Sequence, residues 1–249
     1  MSFRRLDPAH ILATARRLEQ RAARRFAGRG LHKVSTEIVA LTETTIAETA
    51  ALIPPIWWLR LLIAAVVLAG AALFLSVGSV IPLNQIGRDS IRSVEGVEAA
   101  INTLVLAGLG LTALVRLEAR VKRQRVALGL HGLRSIIHVI DMHQLTKDPV
   151  TLTVDYAPTA VSPERGLSAA ELARYLDYCS ELLAITGKLA ALYAQAVPDD
   201  RVAQAVNDIE MLGSNLSRKI WQKIMMIETL SSPPAPSRSP RRKKTGTPD

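Results

Sequence analysis

The sequence predicts an all-α membrane protein in which a two-helix transmembrane hairpin carries a cytosolic helical bundle. Three observations lead there. Two long apolar runs, Leu61 to Val80 and Ala99 to Val115, stand in a chain of only 249 residues. Ala and Leu are abundant while aromatics make up 4%, too few for the alternating aromatic and β-branched runs of a sheet. Outside the two runs, apolar residues recur at three- and four-residue spacing in a polar background, the pattern of packed helices.

At the start of the chain, Asp7 followed by Pro8 is the preferred order of N-cap and first helical residue, and a helix is expected to run from there to about Ala27. Ile11, Ala15, Leu18, Ala22 and Phe26 share one stripe, and Arg16, Arg17, Arg21, Arg24 and Arg25 cover the rest. Such a basic amphipathic helix either lies on anionic lipid or packs in a bundle with a solvated basic side. A second helix is expected over Ser35 to Ile53, with Ile38, Leu41, Ile46, Ala50 and Ile53 as its apolar positions. Residues 1–55 thus form a basic N-terminal helical region, closed by Pro54-Pro55.

Residues 56–116 hold the hairpin, with spans at about 59–80 and 99–115. The first run matches the roughly 20 residues that cross a hydrocarbon core of about 30 Å. Trp57 and Trp58 fall where indoles favour the headgroup layer, and Arg60 and Arg116 close the outer ends of the two spans. Within the second span, Asn102 is a candidate polar contact between helices, while Ala107 and Gly108 are small enough for close helix association. Between the spans, Ile81 to Glu98 is a short polar link with Pro82, Gly87 and Gly96 as breakers.

The net charge of +9 is unevenly placed. Its surplus lies in residues 1–35, 116–125 and 231–249, and the remainder is net acidic. Since positive flanks stay inside, both termini are expected in the cytoplasm. One cysteine, Cys179, allows no intramolecular disulfide, and no short apolar leader precedes the first run. The bacterial inner membrane is the expected location.

From the second span the helical pattern continues to about Leu145, which predicts one helix from Ala99 of about 70 Å, with Val126, Leu130, Leu133, Ile137 and Ile140 as its seam. Asp148-Pro149 stops it. Residues 146–167 are expected as a loop, in which Val150, Leu152, Val154 and Tyr156 alternate as in a short extended piece. Ser168 and Glu171 form a capping box opening a helix to about Ala196, and another follows Pro198 to about Leu230. These two make an antiparallel αα-hairpin that docks on the long helix as a three-helix core, with the N-terminal helices as additions. The bundle therefore covers 117–230, and the Pro-, Ser- and Arg-rich tail 231–249 is too poor in apolar residues to fold.

Chemistry has few anchors. His131, Arg134, His138 and Asp141 fall on one helical stripe, so His138 and Asp141, with His131 nearby, are candidate metal ligands, to be completed by Asp148 or Asp155 or by another subunit. The i,i+4 histidine pair of a helical zinc site is absent, and the preferred reading of the same stripe is a polar register element against the αα-hairpin. Cys179, on an apolar seam, reads as a small core residue. No phosphate loop, nucleophile elbow or CxxC pair occurs, so neither a cofactor nor an enzymatic activity is expected.

The layout is similar in outline to two-span bacterial effectors and sensors, and no motif narrows it. The expected function is that of a self-associating membrane protein whose bundle senses or recruits a cytosolic partner and couples to the hairpin. A pore-forming oligomer and a metal-dependent membrane enzyme are the alternatives. Expected partners are the bilayer, anionic headgroups at the basic N-terminus and juxtamembrane segment, further copies of the chain, and a cytosolic protein. Nucleic acid is not expected, because the RRKK at Arg241 to Lys244 has no aromatic neighbours to read bases.

Overall fold

In a computed structural model, which describes residues 5–80, 90–153, 156–160, 162 and 166–231, the described residues form six α-helices and a 3-10 turn, with no strand among them. The link from 81 to 89, Asp155 and the basic tail beyond Ser231 lie outside the described residues.

Helix α1 spans Pro8–Arg25. Asp7 caps it by accepting the Ala9 N–H at 2.9 Å, and the stripe Ile11, Ala15, Leu18 and Ala22 is buried as its spacing requires. Gly28, at φ +73°, takes the left-handed conformation that turns the chain, which only glycine adopts without strain. Helix α2 then spans Gly30–Leu52, starting five residues before the expected Ser35.

The buried side of α2 also differs from the expected one. Ala50 and Ile53 are exposed, and Leu41 and Ile46 only half-buried, while Leu31, Val34, Ile38 and Leu52 are buried together with Thr42, Thr45 and Thr49. Thr42 donates to the Ile38 carbonyl at 2.6 Å and Thr49 to the Thr45 carbonyl at 2.7 Å. With its hydroxyl satisfied within its own helix, a threonine offers its methyl to the core much as valine does.

Helix α3 spans Trp57–Val80 and α4 spans Ser90–Leu145. α4 is one unbroken helix of 56 residues, about 84 Å long at 1.5 Å per residue. It begins nine residues before the expected Ala99 and contains Gly96, because an isolated glycine costs only about 1 kcal/mol in a helix. The loop after it opens with a 3-10 turn, Pro149–Leu152, capped by Asp148, in place of the extended piece. An Asx cap followed by proline favours a helical turn over a strand start.

Helix α5 spans Ala169–Ala196 with its Ser168–Glu171 capping box formed, and α6 spans Asp200–Ser231. Their apolar seams, Leu172 to Tyr193 and Val202 to Ile227, are buried against each other and against α4. The N-terminal helices are integral to this core. α1 packs on α2 and α5, and α2 also packs on α4, so one continuous apolar cluster joins Leu18, Ile38, Leu133, Leu182 and Ile220. The Phe26 ring meets Tyr175 and Tyr178 edge-on at 5.3 and 6.0 Å. The bundle thus has five helices, because the apolar stripe of α1 needs cover and α5 supplies it.

Candidate functional site

The bundle has two ends. Gly30, at the start of α2, lies so close to His143 that a Cβ there would strike the imidazole, which marks the end remote from α3. At the other end α2 stops, the chain bends at Pro54-Pro55, and α3 leaves the bundle.

That departure is fastened by Glu118 of α4. Its Oε1 accepts the Ile56 N–H at 3.3 Å and the Lys122 ammonium at 3.3 Å, while Oε2 accepts Arg60 Nε at 3.2 Å. Lys122 also donates to the Pro54 carbonyl at 3.1 Å, so the elbow is tied to α4 through both its amide and its carbonyl. Removal from water pushes the Glu118 carboxyl up, but Arg60, the Ile56 amide and Lys122 outweigh this and hold it below the usual carboxylate range. One turn further along α4, Arg123 pairs with Asp199 at 2.8 Å, and Asp199 caps α6 by accepting the Arg201 and Val202 amides. Arg123 accordingly lowers the Asp199 pKa. One polar clasp therefore joins the α2–α3 elbow, the midpoint of α4 and the start of α6.

Beyond the clasp, apolar side chains have no bundle around them. Leu59 is buried, but between Leu61 and Gly70 the described side chains of α3 other than Ile63 are exposed, Leu61 and Leu68 by nearly 70%. Ile101, Val105 and Leu109 of α4 are exposed in the same way. Trp57 and Trp58 point outward at the base, and Arg116 is exposed. Within Gly30–Gly70 lies one stretch long and apolar enough to cross a membrane. Its apolar part is the start of α3, since α2 carries Glu37, Glu43 and Glu48.

The expected association residues Asn102, Ala107 and Gly108 are exposed, and no described atom lies within 4 Å of a Cβ built on Gly108. The histidine stripe does not converge. His131, Arg134 and His138 are exposed, and Asp141 accepts from Gln144 Nε2 at 2.6 Å instead of pairing with His138. Gln144 is itself buried and accepts Lys223 Nζ through its side chain at 2.7 Å and its backbone carbonyl at 3.0 Å. No group of three His, Cys, Asp or Glu side chains is placed to hold a metal among the described residues. Cys179 is fully buried, and burial pushes its thiol up to about 12.

Sequence reasoning missed Glu118, Lys122 and the pairing of Asp199 with Arg123. A signal existed, because Glu118 is the one acid in the basic segment Arg116–Arg125. An acid embedded in a run of like charges at a helix exit suggests a designated partner. No protein-family model matches the chain, and neither a curated protein nor a solved structure is similar to it.

Proposed function

We propose that this is a non-enzymatic, self-associating protein of the bacterial inner membrane, anchored by a two-helix hairpin made of α3 and the first part of α4. Both termini lie in the cytoplasm, where the bundle recruits or senses a partner and passes the change along α4 to the hairpin. The observation that carries this reading is the continuity of α4. The same helix exposes Ile101, Val105 and Leu109 near its start and buries Val126, Leu130, Leu133, Ile137 and Ile140 further along. In water the first stretch would leave a large apolar surface uncovered; in a bilayer it needs no cover.

Coupling along α4 is supported by the clasp, since Glu118 and Arg123 link both the elbow and the α5–α6 turn to the helix. Self-association is supported by Asn102, an exposed polar side chain in the apolar stretch of α4, which in a bilayer would gain a hydrogen bond from a second copy. The test is direct. A reporter fused after Leu230 should be active only in the cytoplasm, and the purified chain should need detergent and run as an oligomer in it. A chain that stays monodisperse in plain buffer would overturn the reading.

A further inference from the structure

The fold gathers arginines from distant parts of the sequence at the elbow end of the bundle. The Leu6 N–H donates to Gln195 Oε1 at 3.0 Å, which puts Arg5 beside the end of α5. The Arg123–Asp199 pair puts Arg201, in the first turn of α6, level with the middle of the basic segment of α4. Arg5, Arg116, Arg120, Arg125 and Arg201 are all exposed, and none of them is in an ion pair among the described residues. Two of the acids at this end, Glu118 and Asp199, are already bound by Arg60, Lys122 and Arg123. Glu48, which lines a shallow cavity with Arg125, accepts from the Tyr193 hydroxyl, and Asp7 is engaged as a helix cap, which leaves Asp200 among the acids nearest the collar. The outward field of this end is therefore basic.

The arginines of α1 are placed differently. Their helix runs away from the elbow end, its apolar stripe is buried in the bundle, and Arg16 and Arg21 pair with Glu43 and Glu181. Insertion of α1 into lipid would require the bundle to open.

We propose that Arg5, Arg116, Arg120, Arg125 and Arg201 form a collar that binds the headgroups of anionic phospholipids around the emerging helices, and that α1 takes no part in it. The inference rests on the membrane-anchored reading above. Distances along α4 fit it. From Arg116 to Arg125 the helix rises about 13 Å, against a headgroup layer of roughly 5–8 Å on each side of the core and a Debye length of about 8 Å. Arg116 and Arg120 thus fall among the headgroups, and the others lie within reach of the surface potential. Trp57 and Trp58 lie between Ile56 and Arg60, both bonded to Glu118, and so sit at the same level, and the collar is continuous with the apolar helices it surrounds. Guanidinium groups suit the task because they bind phosphate through two donors at once.

The experiment uses the full chain reconstituted in vesicles of mixed phosphatidylcholine and phosphatidylglycerol. Lipid carried through detergent extraction is then quantified by mass spectrometry. The native chain should retain phosphatidylglycerol in excess of its bulk share. The combined variant R116Q/R120Q/R201Q should lose that enrichment at least fivefold, the factor expected from about one lost arginine–surface interaction. R17Q/R24Q on α1 should leave it unchanged. Equal enrichment in the native chain and the collar variant, or a loss in the α1 variant as large as in the collar variant, would overturn the proposal. Failure of the native chain to float with the vesicles at all would overturn the membrane-anchored reading instead.

Discussion

The Tyr193 hydroxyl of α5 donates to the Glu48 carboxylate of α2 across the face of Gly129 in α4. Three helices meet in this contact. Tyr193 is buried, and its hydroxyl is held well above its ordinary pKa by burial and by the neighbouring carboxylate. A Cβ at position 129 would collide with the ring, so the glycine that looks like a weak point in the α4 seam is what lets the tyrosine reach its partner.

Replacing Tyr193 by Phe should therefore destabilise the bundle by about 1.5–3 kcal/mol, the usual loss for a hydrogen bond to a charged group. Gly129→Ala should cost about 1–3 kcal/mol through displacement of the ring, although alanine is the better helix former by about 1 kcal/mol. Thermal unfolding of the detergent-solubilised chain measures both. A stabilising G129A would show that the ring moves aside freely.

The Glu118 clasp predicts a pH response at the elbow. Glu118 and Asp199 both have folded pKa values below their ordinary ones, so their contributions are fully present above the unfolded carboxylate values near pH 4 and are lost as pH falls through the lowered folded ones. Protease cleavage around Pro54-Pro55 should stay slow from neutral pH to about 5 and accelerate below about 4. Glu118→Gln keeps the size but loses the charge, and should give the low-pH cleavage rate at pH 7. Arg16→Gln, which breaks an exposed pair with Glu43 far from the elbow, should leave the rate unchanged.

Much of this architecture was legible in the residues. The capping box at Ser168, the break at Pro198 and the seams of α4, α5 and α6 all follow from periodicity and punctuation, because long amphipathic helices leave little choice of buried side. α2 was misread because hydrophobicity alone ranks Ala50 and Ile53 above Thr42 and Thr49. What reverses the order is a hydroxyl bonded to its own helix, and spacing does not display that. The clasp was hidden for a different reason. Glu118 stands out as the lone acid of a basic run, but nothing local names Arg60 as its partner or Arg123 as that of Asp199, because both pairs are made only when the chain folds. The histidine stripe shows the converse, since residues that share a helical face in sequence converge on nothing unless a second element approaches it.

Cys179 offers an internal probe of bundle integrity. It is fully buried on α5 with its thiol pushed up to about 12, so at pH 8 only on the order of one molecule in ten thousand carries the thiolate. Iodoacetamide should leave the folded chain unmodified for hours and label it rapidly in denaturant. Labelling of the native protein at the rate of a free thiol would mean that α5 and α6 separate readily.

The threonine stripe of α2 makes the last prediction. Thr42 is fully buried, and its hydroxyl is bonded at 2.6 Å to the Ile38 carbonyl, an oxygen that already accepts a helical amide. Replacing the hydroxyl by a methyl leaves no donor or acceptor stranded, so Thr42→Val should change stability by less than about 1 kcal/mol, although such a swap is commonly costly in a core. Thr42→Ala opens a gap where the methyl packs and should cost about 1–2 kcal/mol. If Val were as damaging as Ala in thermal unfolding, the hydroxyl would have to serve something besides its own helix. The pair of variants thus separates packing from hydrogen bonding at a helix whose buried side hydrophobicity does not identify.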